Sequence, residues 1–408
     1  MSSWPWLNDI LNQLHQAGLY RRRRKLASAM GPRVRIGRRV FINFASNDYL
    51  NLAADPRVIH AAIRALRHYG CGAGASPLIV GWSAPLRALE RDLARWQGTE
   101  SALVFSSGFA ANLGVLTALV GPEDIVFSDE LNHASLIDGC RLTKARIHIY
   151  RHADLDHLRS QLSQHTRPAN CPECTGPIRR RFIVTDSVFS MDGDTAPLEQ
   201  LVELAERFQA TLIVDEAHAT GILGPEGRGL VAQLARRPNA GLVKIGTLSK
   251  ALGAQGGFVS GERVLIRYLI NRARSYIFST ALSIPAAAAA RAALRIVRQE
   301  PQRRERLHHL ARLLRQALRQ RGFLPESPRS SSGPSLDAVT PIVPVILGEA
   351  TRAVQVAQAL KQRGFLVPAI RPPSVPPGSS RLRISLTAGH TEDDVLALAD
   401  ALAEVLRP

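Results

Sequence analysis

The sequence predicts an α/β fold in which a large domain surrounds a mostly parallel sheet and a smaller α+β domain follows it. The first observation behind this prediction is that short apolar runs rich in β-branched residues alternate with helical segments between residues 100 and 262. Such alternation is typical of a parallel sheet that helices cover on both faces. The second observation is that 408 residues with 45% hydrophobic content are enough to bury the cores of about two to three domains.

The N-terminal part of the chain, residues 1–48, is predicted to form a helical arm. Residues 4–30 carry apolar side chains at helical spacing and have a basic end, so we expect an amphipathic helix over that range. The next stretch, FINFASNDYLNLA (41–53), predicts a strand and a turn.

The large domain is expected to span residues 49–290 and to contain a sheet of seven strands. The runs that predict these strands are ALVFS (102–106), DIVFSD (124–129), RIHIYRH (146–152), RFIVTDS (181–187), TLIVDEAH (211–218), GLVKIGTLSK (241–250) and GGFVSG (256–261). Residues 164–181 are rich in proline, polar and basic residues and predict an exposed loop. This loop contains Cys171 and Cys174, but a lone C-x-x-C supplies only half of a tetrahedral zinc site, so we predict no metal centre.

The C-terminal part, residues 291–408, is predicted to be the smaller domain. A long helical zone covers about 282–322, and the runs PIVPVIL, GFLVPAI and RLRISLTA then alternate with helices. Between them, residues 325–341 are rich in serine and proline and predict a flexible connection.

Composition limits the classes of function. The formal charge of +18 could favour binding of nucleic acid, of an anionic membrane surface or of anionic small substrates. The excess arginines are scattered, however, and no helix-turn-helix or zinc-finger spacing accompanies them, which argues against sequence-specific nucleic-acid binding. No apolar run approaches the roughly 20 residues of a spanning helix, and the N-terminus lacks the layout of a secretory signal. We therefore expect a soluble cytoplasmic protein whose four cysteines are reduced.

Chemically suggestive residues follow several predicted strands, at the carboxyl ends where parallel sheets bind their ligands. SSGFAANLGVL (106–116) opens a helix after a strand, so the amides of Ser107, Gly108 and Phe109 would face an anion such as phosphate. A serine and a glycine before a helix are also ordinary capping residues. Asp215 ends another strand and His218 follows it, although these could equally be a helix cap and a surface residue.

Three further motifs add candidate functional residues at strand ends. VTDSVFSMDGD offers Asp186, Ser187 and Ser190, LNHAS offers His133, and TLSKALGAQGG offers Thr247, Ser249 and Lys250. The lysine lies among small residues, which leave room for a flat ring. An anion cradle, a strand-end carboxylate, a histidine and such a lysine are together what pyridoxal phosphate (PLP) requires: a Schiff-base lysine, an acid for the pyridine nitrogen and donors for the phosphate.

The sequence resembles the α-oxoamine synthases, a family of PLP enzymes, over almost its whole length. The motifs that carry the resemblance are FASNDYLNL (44–52), ALVFSSGFAANLGVL (102–116), LNHASLIDG (131–139), VTDSVFSMDGDTAPL (184–198), VDEAHATGILGPEGRG (214–229), GTLSKALGAQGG (246–257), YIFSTALSIP (276–285) and IRPPSVPPGSSRLRISLTAGHT (370–391). The resemblance implies a fold-type-I transferase that forms a homodimer, with each active site at the subunit interface.

Residue roles carry over by matching motif. The resemblance implies catalytic roles for Lys250, which forms the Schiff base and acts as general base, for Asp215, which pairs with the pyridine nitrogen, and for His133, which stacks on the ring and donates to the developing oxyanion. The other cofactor contacts that it implies are Gly108, Phe109, Ser190, His218, Thr247 and, from the partner subunit, Thr280. The substrate contacts that it implies, besides His133, are Arg21, Asn47, Arg371 and Ser374.

The reaction that the resemblance implies joins L-alanine to a pimeloyl thioester, on CoA or on a carrier protein, and releases CO2 and the thiol, in biotin biosynthesis. Alternatives within the family are glycine C-acetyltransferase and aminolevulinate synthase. An alternative of another class is a non-catalytic paralogue that acts as a binding subunit. Such a paralogue is expected to lose its lysine or its ring acid, whereas Lys250 and Asp215 are both present.

Overall fold

The structure, a computed structural model, describes residues 3–165, 180–235, 239–324 and 339–406. Cys171, Cys174 and most of the predicted loop around them lie outside these residues, as does most of the predicted connection 325–341. The chain forms two compact units. The terminal unit comprises Met1–Ala54, Ser190–Gly193 and Gln302–Pro408, and the central unit comprises Asp55–Phe189 and Asp194–Pro301.

Helices and strands alternate along most of the described chain. The helices are α1 (Pro5–Gln16), α2 (Pro56–Tyr69), α3 (Ala84–Gln97), α4 (Gly108–Leu119), α5 (Ala134–Leu142), α6 (Leu155–Gln164), α7 (Leu198–Arg207), α8 (Arg263–Arg272), α9 (Arg274–Ile277), α10 (Ile284–Gln299), α11 (Gln302–Gln320), α12 (Ala350–Gln362) and α13 (Glu392–Leu406). The strands are β1 (Arg33–Ile36), β2 (Arg39–Asn43), β3 (Ser101–Phe105), β4 (Ile125–Asp129), β5 (Arg146–Tyr150), β6 (Arg181–Asp186), β7 (Ala210–Asp215), β8 (Leu242–Thr247), β9 (Gly257–Gly261), β10 (Ile342–Gly348), β11 (Phe365–Leu366), β12 (Ala369–Ile370) and β13 (Ser380–Ser385).

The central unit is built around the predicted seven-stranded sheet, whose strand order is β3-β9-β8-β7-β6-β4-β5. Strand β9 runs antiparallel to both of its neighbours, β3 and β8, and the other pairs are parallel. Every run predicted as a strand of this sheet forms one. The side chains of β4 and β9 are buried along their whole length, because helices cover both faces of a parallel sheet and leave no face for water.

Helix α4 follows β3 directly and is apolar on nearly all sides. Ser107 caps it, since its Oγ accepts a hydrogen bond from the amide of Ala110 at 3.0 Å. Val115 and Leu116 are fully buried against the sheet. The cap and the burial together fix the start of α4 at the carboxyl edge of β3.

The terminal unit contains two small sheets, with strand orders β1-β2-β11 and β10-β13-β12. The predicted helical zone 282–322 consists of two helices, α10 and α11, of which only α11 belongs to this unit. The run GFLVPAI forms two short strands, β11 and β12, that pair with different sheets.

The prediction of a helix over residues 4–30 is wrong beyond Gln16. The amide of Ala17 closes the last turn on the carbonyl of Gln13, and Gly18 follows with φ +66°. A glycine in this left-handed conformation ends a helix at little cost. The five consecutive cations that follow, residues 21–25, would repel one another along a helix. Among the described residues, no helix is long and apolar enough to cross a membrane.

Candidate active site

Asp215 and Asp186 lie side by side at the carboxyl edge of the central sheet, as register partners at the ends of β7 and β6. Asp215 is buried, and its two carboxylate oxygens accept hydrogen bonds from the side-chain amide of Asn112 and from the backbone amide of Ala217, each at 2.7 Å. These two donors fix the orientation of the carboxylate. Asn112 lies on α4, so the helix that follows β3 supports the acid that follows β7.

The second carboxyl group, Asp186, accepts a hydrogen bond from the backbone amide of His133 at 2.7 Å. Burial, reinforced by the negative charge of Asp215, raises the pKa of Asp186 well above its ordinary value. Two adjacent carboxyl groups in a dry site do not both ionise readily. Asp186 therefore holds the backbone of His133, the residue that caps α5, at this edge of the sheet.

His133 caps α5, and its Nδ1 accepts a hydrogen bond from the amide of Ser135 at 3.2 Å. Burial and the positive charge of Lys250 lower the pKa of this imidazole, and they outweigh the opposite effect of the Asp215 charge. Because Nδ1 is an acceptor, the neutral ring carries its hydrogen on Nε2. The hydroxyl of Ser135 lies 2.7 Å from His133 Nδ1 and accepts from Asn112 Nδ2 at 2.7 Å. A hydrogen-bonded chain thus joins Asp215 to His133.

Lys250 follows β8 at the same edge of the sheet. Its Nζ lies 2.9 Å from Nε2 of the buried His218, which comes from the loop after β7. Its neighbours Ala251 and Leu252 point into the core, and the small residues predicted to leave room beside the lysine follow them.

The start of α4 meets the end of β8. A Cβ atom added at Gly108 would lie 3.4 Å from Thr247 Oγ1, and one added at Gly257 would lie 2.6 Å from the Gly108 amide nitrogen. Thr247 Oγ1 donates to the carbonyl of Gly256 at 3.0 Å. The first amides of a helix have no acceptor within it and form the positive end of its dipole. The structure thus brings together Gly108 and Thr247, two of the residues predicted to hold an anion, and Phe109 is the next residue of α4.

Thr280 is exposed, in the segment that follows α9. The amide of Ala281 donates to the carbonyl of Ala75 at 3.0 Å, which ties this segment to the stretch before a π-helical turn, Pro77–Gly81. Ile79 and Val80 in that turn are about three-quarters exposed, at 74% and 77%, and Phe278 beside Thr280 is 69% exposed.

In the terminal unit, Arg21 and Arg371 lie together. Arg371 donates to the carbonyl of Tyr20 at 2.6 Å, and Arg21 donates to the carbonyl of Pro372 at 3.0 Å. Burial, and the neighbouring charge of Arg21, lower the pKa of Arg371. Ser374 closes the turn after Arg371 by a backbone hydrogen bond of 3.1 Å.

Asn47 and Ser190, also in the terminal unit, meet through a residue that the sequence analysis missed. Arg383 is buried and donates to the Asn47 side chain at 3.1 Å, to the Ser385 hydroxyl at 2.8 Å and to the Ser190 carbonyl. The signal for it was an arginine that alternates with apolar residues in the predicted strand run RLRIS. Asn112, a single amide inside the apolar helix α4, was the corresponding signal in the central unit.

The predicted residues thus fall into two groups. The central unit holds Gly108, Phe109, His133, Asp215, His218, Thr247, Lys250 and Thr280. The terminal unit holds Arg21, Asn47, Ser190, Arg371 and Ser374.

Known proteins share this sequence and fold. The model of the aminotransferase class I and II family matches residues 39–402. The 8-amino-7-oxononanoate synthase of Anaeromyxobacter sp. (strain K) is 48% identical over 401 residues, which cover 98% of this chain and 95% of that protein. The 8-amino-7-oxononanoate synthase 2 of Bacillus subtilis is 42% identical over 390 residues, or 96% and 94% of the two chains.

Solved structures agree with these matches. A serine palmitoyltransferase from S. paucimobilis, in a structure with PLP and myriocin, has a TM-score of 0.87 and 29% identity and covers 98% of this chain and 97% of its own. An 8-amino-7-oxononanoate synthase from Francisella tularensis has a TM-score of 0.74 and 28% identity over 89% and 97% of the two chains. The predicted fold-type-I transferase fold is confirmed. The chain belongs to the aminotransferase class I and II family, in the branch that contains the 8-amino-7-oxononanoate synthases.

Proposed function

We propose that the chain is a PLP-dependent acyltransferase, an 8-amino-7-oxononanoate synthase of biotin biosynthesis. It joins L-alanine to a pimeloyl thioester and releases CO2 and the free thiol. The observation that carries the proposal is the pairing of Lys250 with His218, at 2.9 Å, on the sheet edge where the buried Asp215 also ends its strand. Relatives that share almost half of this sequence over 98% of its length have that name.

The residues of the central unit fit PLP. Gly108 lies beside the Thr247 hydroxyl at the start of α4, which suits a phosphate held by amides and a hydroxyl. Asp215 would face the pyridine nitrogen, His133 the ring and His218 the ring oxygen. Lys250 would hold the aldehyde carbon. When bound, the cofactor accepts the electron pair left on the amino-acid Cα.

In this proposal, side chains of the central unit transfer protons and stabilise the charges that develop during the reaction. The carboxylate of Asp215, fixed by Asn112 and the Ala217 amide, presents a negative charge that does not need to reorganise during the reaction. The amine of Lys250 removes the Cα proton of alanine as a general base. His133 is neutral and carries its hydrogen on Nε2, so it donates to the oxygen that becomes negative as the thioester carbonyl is attacked.

The terminal unit supplies the substrate contacts in this proposal. Arg371 pairs with the alanine carboxylate, because a planar guanidinium makes two parallel hydrogen bonds to a carboxylate. Arg21, hydrogen-bonded to the carbonyl of the residue after Arg371, adds positive potential for an acidic thioester. Asn47 and Ser374 complete the substrate contacts, and Ser190 positions the cofactor.

A homodimer completes the site in this proposal. Thr280 reaches the phosphate of the partner subunit's cofactor, and the exposed apolar side chains of the turn Pro77–Gly81 and of Phe278 pack in the interface. Exposed apolar surface of this kind is typical of a protein–protein contact.

A direct assay tests the function. Purified protein supplied with PLP, L-alanine and pimeloyl-CoA is expected to form the amino-ketone, detected by mass. Lys250→Ala should lower the rate by at least about 10³-fold, because it removes both the cofactor anchor and the base. Lys361→Ala, which removes a lysine on α12 in the terminal unit, is the matched control and should keep the wild-type rate.

Different outcomes contradict different parts of the proposal. Faster turnover of glycine with acetyl-CoA or succinyl-CoA would assign the chain to a sister enzyme. Failure of the wild-type protein to show the absorption band of lysine-bound PLP would indicate a binding subunit instead.

A further inference from the structure

An aspartate–histidine–aspartate cluster lies in the central unit, outside the residues assigned to the cofactor or the substrates. His152, two residues after β5, places Nδ1 3.0 Å from Asp129 Oδ1 and Nε2 2.6 Å from Asp194 Oδ2. Asp129 ends β4 and is 2% exposed. Both ring nitrogens face carboxylate oxygens, which accept hydrogen bonds only, so the ring satisfies both when it is a protonated imidazolium.

On one side, the cluster supports the loop that ends at His133. Asp129 accepts hydrogen bonds from the amides of Leu131, at 2.9 Å, and of Ala153, at 3.0 Å. Asn132, the next residue of this loop, donates to the carbonyl of Val184 at 2.8 Å. Asp129 is therefore the anchor at the start of the five-residue loop whose last member is His133.

On the other side, the cluster holds the two residues that flank the Ser190–Gly193 segment in the chain. The amide of Phe189 donates to the carbonyl of Asp194 at 3.0 Å, which closes the neck of this segment. The edge of the His152 ring packs against Phe189, with ring centroids 4.3 Å apart and planes at 85°. His152 thus contacts both Phe189 and Asp194.

The charge balance of the cluster favours the imidazolium. Burial alone favours the neutral ring, but the hydrogen bonds to Asp129 and Asp194 outweigh it and raise the pKa of His152 to about 10. Glu130 adds a third acidic group, whose Oε1 accepts from the His152 backbone amide at 2.8 Å. Without the cation, these carboxylates would repel one another, and Asp129 would be left buried and without its charged partner.

We propose that His152 is a positioning residue of the cofactor site, which holds the His133 loop and the neck of the Ser190 segment at a fixed separation. The proposal rests on the proposed function, since His133 and Ser190 are its candidate cofactor contacts. His152 touches neither cofactor nor substrate. It acts through the two elements that it joins, so its loss should loosen the cofactor while Lys250, Asp215 and the phosphate cradle stay in place.

The test compares three variants by the dissociation constant for PLP, measured by absorbance titration of the apo-protein, and by kcat and KM for alanine. His152→Gln keeps a polar side chain but not the charge, and it should weaken PLP binding by about tenfold or more, as losses of supporting residues do at bound groups. His152→Arg restores a cation with two donor ends and should recover most of that loss. His60→Gln, at an exposed position of α2, is the control and should bind as the wild type does.

Two results would overturn this proposal without contradicting the proposed function. The first is a PLP affinity of His152→Gln within about twofold of the wild-type value. The second is an equal loss of PLP affinity in His152→Arg and His152→Gln when circular dichroism shows that both proteins are folded. If His152→Gln does not fold, Asp194→Asn decides in the same way, because this carboxylate is 42% exposed and its replacement removes one arm of the cluster only. Failure of the wild-type protein itself to bind PLP would instead contradict the proposed function.

Discussion

At the residue scale, Asn112 decides how the charge of Asp215 is presented. Its amide donates to both Asp215 and the Ser135 hydroxyl, which in turn lies against His133. One side chain on α4 therefore links Asp215, the proposed partner of the pyridine nitrogen, to His133, the proposed ring contact. A carboxylate held in this way needs no rearrangement when charge develops, which is the usual origin of a large electrostatic contribution to rate.

We therefore expect Asn112→Leu, which keeps the side-chain volume and removes the donor, to lower kcat for the alanine condensation by about 10- to 100-fold while PLP remains bound. The measurement is steady-state turnover together with the PLP absorption band. Asn271→Leu, on the exposed face of α8, is the control. An unchanged kcat in Asn112→Leu would show that Asp215 does not depend on this donor.

At the scale of elements, β9 sets the position of the α4 N-terminus. Gly257 pairs across the sheet with Phe105 of β3 on one side and with Thr247 of β8 on the other, so it lies between the two strands that lead to the proposed phosphate cradle and to Lys250. The backbone of Gly108 passes so close to Gly257 that no side chain fits at position 257.

We expect Gly257→Ala to destabilise the apo-protein by about 1–3 kcal/mol, because the added Cβ would lie 2.5 Å from the Ser107 carbonyl oxygen and the start of α4 must move. PLP affinity should fall as well, since the cradle moves with α4. Urea unfolding and PLP titration check both effects. The matched control is Gly72→Ala, where an added Cβ meets nothing within 4 Å. Equal stability of the two variants would contradict the argument.

At the scale of the whole molecule, each unit carries a histidine whose shifted pKa makes stability depend on pH. In the central unit, the pKa of His152 is raised to about 10 by its two aspartates, against the effect of burial. In the terminal unit, burial lowers the pKa of His390 to about 4, while its ring stacks on Phe44 with centroids 4.3 Å apart. His390 thus favours the folded state above the unfolded pKa of about 6.5 and loses this contribution as pH falls toward 4.

The sign for His152 is opposite. Its folded pKa exceeds the unfolded one, so its contribution is fully present below about pH 6.5 and is lost as pH rises through 10. The difference in unfolding free energy between wild type and His152→Gln should therefore be constant at low pH and shrink steadily from pH 6.5 to 10, as measured by urea unfolding. Glu90, whose pKa burial raises to about 7, titrates in both proteins and cancels in the difference. A difference that does not vary with pH would mean that folding does not change the pKa of His152, and this would contradict the raised pKa.

The sequence by itself determined the strands of the central sheet and the residues at their ends. Buried parallel strands read as short apolar runs, and the residue after each run falls at the ligand-binding edge, so Asp215 and Lys250 could be placed without knowing which strands are neighbours. The family motifs then added the roles. These signals are local, since each lies within about ten residues of chain.

Only the tertiary structure decided what supports those residues. Asn112 and Asp215 are 103 residues apart, and Asn47 and Arg383 are 336 apart, so no local pattern records either contact. The same holds for His152, which reads in the sequence as a polar residue after a strand and becomes a charged bridge only when β4, β5 and the chain before α7 meet. Spacing predicts which face of a segment is apolar, whereas contacts between distant segments decide which polar groups it holds.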